Sequence, residues 1–318
     1  VTSAQRDVRG RSASTLADDR AVEQVLDAVP CLAARTGWQR VGGGLTNVNA
    51  RVHLPDGDVI ARIATDDAAL LAIDREAEHH NSLAAARSGA APAVVGYAAE
   101  AGVLVVRWVE GRTFGAGDVR DPANLPRIAA VCRLLHAGPR FAGDFDMFAV
   151  QRGYLDVVTE RGFRLPPRYL DLMPAFADVA RALAVRPLPT VPCHNDLLAE
   201  NLVDDGERLW LVDYEYAGNN EACFELGNVW SESTLPVDAL APLVEAYFGT
   251  ASPALVARAR LFGLASKYGW TLWASIQDGA SSVDFDFWTW GMEKYERAVE
   301  EFDGPDFARL LEEAAAPD

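Results

Sequence analysis

The chain has 318 residues, 50% of them hydrophobic and 24% charged, which is enough for about two globular domains with real cores. Its formal charge is −17, from 46 acids against 29 arginines and lysines, so repulsion argues against nucleic acid or an anionic membrane surface as a partner. Four cysteines without C-x-x-C spacing, no apolar run long enough to span a bilayer and no apolar leader predict a cytoplasmic protein without membrane insertion.

Residues 1–20 are polar and predict a disordered start. Apolar residues at helical spacing (Val22, Val25, Leu26, Val29) predict a helix over 21–32, and strand-like segments follow at 38–41, 50–54 and 59–63. Pro55-Asp56-Gly57 reads as the hairpin turn between the last two. A helix is expected over 73–88, stopping at Gly89 with Pro92 beyond. The runs 94–98 and 103–109 flank a second hairpin signal, Glu100-Ala101-Gly102. After Gly111 the pattern turns helical, at 125–136, 167–185, 237–248, 253–277 and 287–302, broken by one small hairpin around Asp204-Asp205-Gly206. The expected architecture is α+β, with a β-rich lobe over 21–110 and a larger, mainly helical lobe over 111–318.

Within the helical half, the run His194-Asn195-Asp196-Leu197-Leu198-Ala199-Glu200-Asn201 is followed across the hairpin by Asp213 in Leu211-Val212-Asp213-Tyr214-Glu215. A short loop and a tight hairpin bring such groups together. In phosphoryl transfer they have separable roles: Asp196 orients and deprotonates an attacking hydroxyl, while Asn201 and Asp213 hold Mg²⁺ on the phosphates. Each part alone is a common loop or hairpin end; their order and spacing point to the chemistry.

With this loop, the segment Asp213-Tyr214-Glu215-Tyr216 continuing to Glu225-Leu226-Gly227-Asn228, and the blocks Trp270-Thr271-Leu272-Trp273 and Ser281-Ser282-Val283-Asp284-Phe285, the chain resembles the choline/ethanolamine kinase family from residue 42 to residue 302. That family sits among aminoglycoside-phosphotransferase-like small-molecule kinases. The resemblance implies a bilobal protein-kinase-like fold using ATP and Mg²⁺. It implies nucleotide contacts from Gly43, Gly44, Thr46 and Asn47, in a glycine run whose backbone N–H groups approach phosphate. No lysine precedes Lys267, so the cation expected on the third strand is Arg62. Its carboxylate partner is Glu78, with Glu76 the alternative, and adenine is expected against the connector at Trp108 and Val109. His136 and His194 read as structural hydrogen-bonding groups.

Between Val191 and Glu232 lie ten acids and one arginine, Arg208. Asp204, Asp205 and Glu207 suit a solvated hairpin, and the rest suit magnesium and a cationic acceptor. A quaternary ammonium lacks an N–H, so it is recognised by aromatic faces beside a carboxylate. The resemblance assigns that carboxylate to Glu232 and the aromatic faces to Trp270, Trp273, Phe285 and Trp290, the last standing where tyrosine is expected; Trp288 reads as packing. The expected substrate is choline or a related cationic amino alcohol, with ethanolamine, thiamine or an aminoglycoside as alternative acceptors. A catalytically silent kinase-fold binding module is the competing class. A peptide substrate is disfavoured, because Tyr214-Glu215 replaces the Phe-Gly of protein kinases and no A-P-E-like segment follows.

Overall fold

The computed structural model describes residues 15–42, 44–65 and 70–317. Five antiparallel strands form the first sheet: β1 (Gly37–Val41), β2 (Asn47–His53), β3 (Val59–Ala64), β4 (Val94–Ala98) and β5 (Val103–Arg107), in the spatial order β1-β2-β3-β5-β4. The two-residue period of β3 sorts its side chains: Val59, Ala61 and Ile63 enter the core of this lobe, and Ile60 and Arg62 point to the other face. Helix α1 (Asp19–Asp27) covers the core face with Val22, Val25 and Leu26.

The expected disorder over 1–20 is corrected within its described part. Thr15–Ala17 makes a 3₁₀ turn, Asp18 caps α1 and Leu16 is buried in the β-rich core; residues 1–14 lie outside the described residues. Helix α1 also stops short of residue 32, because Pro30 has no N–H to continue it and instead opens a separate 3₁₀ turn. Helix α2 (Arg75–Ser88) starts where Asp74 accepts from the N–H groups of Glu76 and Ala77 and ends at Gly89, φ +84°.

The chain leaves this sheet after Arg107, and the next strand, β6 (Arg112–Thr113), pairs with the helical half through β8. Gly111 makes the approach possible, since a Cβ there would lie 2.5 Å from the Asp204 carbonyl oxygen. Strands β7 (Thr190–Cys193), β8 (Leu202–Asp204), β9 (Leu209–Leu211) and β10 (Gly218–Glu221) form two small sheets, β6-β8-β9 and β10-β7. Around them lie α3 (Ala116–Arg120), α4 (Leu125–His136), α5 (Met147–Arg161), α6 (Met173–Val185), α7 (Ala222–Glu232), α8 (Leu240–Phe248), α9 (Pro253–Ala280), α10 (Phe287–Phe302) and α11 (Phe307–Ala315). Periodicity did not reveal α3, α5, α7 or α11.

Helix α9 is the spine of this half, buried along most of its length. Helix α7 crosses it at backbone distance: a methyl group on Gly227 would collide with the Ala259 carbonyl, and one on Gly263 would lie 2.7 Å from the Gly227 carbonyl oxygen. Among the described residues no single helix is long and apolar enough to cross a membrane.

Candidate active site

The loop between β7 and β8 carries His194, Asp196 and Asn201, and the start of α7 holds it in place. The Glu225 carboxylate accepts from the N–H groups of His194 (2.7 Å) and Asn195 (2.8 Å), and Asn228 accepts from the N–H of Leu197 (2.6 Å). Asn195 adopts a left-handed backbone, φ +67°, stabilised by its amide donating to the carbonyls of Cys193, Tyr216 and Gly218. His194 donates from Nε2 to the Val212 carbonyl (2.8 Å) and accepts at Nδ1 from the Asp196 N–H (3.3 Å), and burial lowers its pKa. It is therefore a neutral strut between the loop and the segment entering Asp213. His136 is likewise structural, contacting Tyr247 Oη (2.7 Å) and Glu225. Asn201 donates to the Asp196 carbonyl (2.8 Å), which fixes the spacing of the two side chains.

Asp213 also has a left-handed backbone, φ +75°, and accepts from Arg62. Arg62 Nε donates to Glu78 (3.3 Å), which is buried, whereas Glu76 is exposed, so the geometry selects Glu78. Arg75 extends the network by donating to Glu78 (2.7 Å) and Glu215 (3.4 Å). Glu215 in turn ties the glycine-rich turn to the Asp213 segment, accepting from Thr46 Oγ1 (2.9 Å) and Asn47 Nδ2 (3.0 Å).

One cavity of 850 Å³ joins these elements. Gly44, Thr46, Arg62, Trp108 and Val109 line it from the sheet side, Asp196 and Asn201 line it from the β7–β8 loop, and Asp213 lines it from the segment after β9. Glu232, Trp270, Trp273, Phe285 and Trp290 complete it. Three placements differ from the sequence expectations. Asn47 is not on the cavity wall, because its amide is held by Glu215. The backbone N–H of Trp108 is used on the Asp58 carbonyl (3.0 Å) and its ring carries the Arg51 guanidinium, so that N–H is not available to a base. Glu232 is not a free carboxylate: Lys294 donates to its Oε2. Gly43 lies outside the described residues.

The aromatic wall is assembled from two helices. Trp273 on α9 meets Trp290 on α10 edge to face at 5.5 Å, and its indole N–H donates to Tyr216 Oη (2.8 Å). Phe285, in the turn between those helices, is 42% exposed and stands at the rim. Trp288 lies under Arg164, away from the cavity.

The electrostatics are those of a site with surplus negative charge. Burial pushes the Asp196 carboxyl well above its ordinary pKa, and Glu232, Asp213 and Glu215 add to the effect against the opposing Lys294. Burial and Asp213 push Glu215 up to about 7. Burial would also raise Asp213, but Arg62 outweighs it and holds that carboxyl below its usual range. Hard oxygen donors from Asn201 and Asp213 facing this surplus fit Mg²⁺. Sequence reading gives no role to Arg75, Glu215, Glu225, Asn228 or Lys294; the signals were the Asp213-Tyr214-Glu215-Tyr216 segment for Glu215 and the Glu225-Leu226-Gly227-Asn228 block for Glu225 and Asn228.

A β-sheet lobe against a helical lobe, with an H-N-D loop and an Asp-containing hairpin end facing the cleft between them, defines the protein-kinase-like fold in its small-molecule form. Residues 37–262 match the phosphotransferase enzyme family, and the chain belongs to it. Ethanolamine kinase 2 of Mus musculus is 32% identical over 256 residues, covering 72% of this chain and 66% of the mouse protein. The chain thus spans just under two thirds of that relative's length. The crystal structure of a choline/ethanolamine kinase family protein from Mesorhizobium loti superposes with a TM-score of 0.81 at 32% identity, covering 93% of this chain and 99% of that one. Choline kinase LicA from Streptococcus pneumoniae shares the fold, with a TM-score of 0.74 at 19% identity over 89% of this chain and 98% of its own.

Proposed function

We propose that the protein transfers the γ-phosphoryl group of ATP to the hydroxyl of choline, ethanolamine or a related cationic amino alcohol. The observation that carries this reading is a single cavity shared by the glycine-rich turn, Arg62, Asp196, Asn201, Asp213 and an aromatic wall beside Glu232. The names of the mouse and Mesorhizobium loti relatives support it.

In this mechanism Asp196 is the base. The hydrogen bond from Asn201 to its carbonyl and the strut of His194 against its N–H hold the Asp196 backbone, from which the carboxylate reaches the cavity. Its raised pKa gives it the basicity to take the hydroxyl proton as the alcohol oxygen attacks phosphorus. Arg62, held from behind by Glu78, supplies fixed positive charge for the phosphates. Gly44 borders them, and Trp108 and Val109 border the base. Asn201 and Asp213 would hold Mg²⁺, which when bound offsets the charge of the phosphate oxygens. The aromatic wall excludes water and faces the ammonium group.

The test is ADP formation from Mg·ATP over choline, ethanolamine, thiamine and several aminoglycosides, beside Asp196→Asn. Turnover with an amino alcohol is expected, falling by about 10²–10⁴-fold in the variant while ATP binding is kept. Unchanged turnover in the variant would overturn the mechanism. ATP binding without turnover of any acceptor would favour a silent binding module.

A further inference from the structure

Lysine is scarce in this chain: Lys267 and Lys294 are the two among 29 basic residues. Lys294 lies on α10 one turn after Trp290, with Nζ 4.1 Å from the centre of that ring, and donates to Glu232 Oε2. Both side chains are deeply buried, Lys294 at 4% and Glu232 at 1% exposure. Glu232 lines the cavity and Lys294 does not, so the lysine approaches the carboxylate from behind the wall. The other oxygen, Oε1, is buried and has no hydrogen-bond partner among the described residues.

This arrangement changes what the pocket offers a cation. A carboxylate paired with an ammonium has part of its charge offset, so it attracts a second cation less by bare charge and more through the acceptor it has left. Its remaining oxygen is a directional acceptor that must be met by a donor or stay unsatisfied. The choice of lysine matters in a chain that otherwise uses arginine. An ammonium is a point donor that occupies one oxygen, whereas a guanidinium fork grips both.

We propose that Lys294 is a specificity-determining residue: by pinning Oε2 and offsetting part of the charge of Glu232, it leaves Oε1 as the one hydrogen-bond acceptor of that carboxylate for the acceptor and so selects amino alcohols that keep at least one N–H on the ammonium. The proposal rests on the reading that this end of the cavity takes a cationic alcohol. Under it, a fully N-methylated head fills the aromatic space but leaves Oε1 unsatisfied.

The experiment measures kcat/KM across ethanolamine and its N-methyl, N,N-dimethyl and N,N,N-trimethyl forms, which carry three, two, one and no N–H on the ammonium. The wild-type protein is expected to lose about tenfold or more at the last methyl and less at each earlier one. In Lys294→Arg, which keeps the ion pair but engages both oxygens, the last step shrinks to about threefold or less. It shrinks likewise in Lys294→Met, where an uncompensated carboxylate attracts any ammonium, and KM for ATP stays unchanged in both variants. Equal use of the dimethyl and trimethyl alcohols by the wild type would overturn the proposal, as would a last step preserved in both variants. No turnover of any of the four alcohols would instead remove the amino-alcohol reading, and the proposal with it.

Discussion

Glu225 never touches the cavity, yet two of the N–H groups that shape the catalytic loop end on its carboxylate. Burial alone would raise its pKa, but the hydrogen bond from His136 and the His194 backbone N–H outweigh burial and hold it below the usual range. A carboxylate with a lower pKa folded than unfolded stabilises the fold fully at neutral pH and loses that contribution as the pH falls below the ordinary glutamate value of about 4.3. Glu225→Gln is therefore expected to cost about 1–3 kcal/mol at pH 7, because an amide oxygen can replace only part of the acceptor pair. The variant should also lose less stability than the wild type between neutral and acid pH, as read by thermal melts at both. Identical pH profiles would contradict this account. The contrast with Asp196, Asn201 and Asp213 explains what the sequence shows at this scale. Those three announce themselves by close spacing, whereas Glu225 acts 31 residues from its loop and Lys294 62 residues from Glu232. Such pairs leave no local pattern.

At the scale of elements, the contact of α7 with α9 decides whether the two halves of the site meet. Helix α7 brings Glu225, Asn228 and Glu232, and α9 brings Trp270 and Trp273. Their closeness depends on Gly227, whose replacement by alanine drives a methyl group into the α9 backbone. Gly227→Ala is expected to destabilise by about 1–3 kcal/mol or more and to weaken acceptor turnover, measured by melting temperature and by KM for the alcohol. Gly143→Ala, where no atom lies within 4 Å of the added carbon, is the matched control. Burial together with shortness explains why α7 escaped the periodicity reading: ten of its eleven residues are buried, so no polar face alternates with an apolar one, and it lacks the length that marks the equally buried, 28-residue α9 as a helix. The half-buried strands and α10, which has a solvent face, were legible for the opposite reason. The glycine-rich turn was legible as a feature but not in its partners, since Thr46 and Asn47 spend their side chains on Glu215, more than 160 residues away.

For the whole molecule, a charge of −17 adds a long-range field to the local carboxylates. A cationic alcohol approaching the cavity is drawn in by that field, and salt screens it, the screening length falling from about 30 Å at 0.01 M to about 8 Å at 0.15 M. Acceptor kcat/KM is thus expected to fall several-fold as NaCl rises through that range at saturating Mg·ATP, with little change in kcat; a flat response would mean the field contributes nothing to capture. The two-lobed architecture was readable from the sequence because the β-rich and helical halves differ in texture, while the join at Gly111 depends on a backbone approach that only the folded chain displays. The division of labour between α7 and α10 carries a consequence for how such a molecule changes over generations. The phosphoryl-transfer apparatus is stapled by α7, whereas the stretch from Phe285 to Lys294 supplies rim, wall and counter-cation from a segment that anchors none of the catalytic loop. Mutation at the rim and wall of that panel leaves the staples of the loop in place, so under the proposed function acceptor preference is a trait that drift or a directed library can alter one side chain at a time.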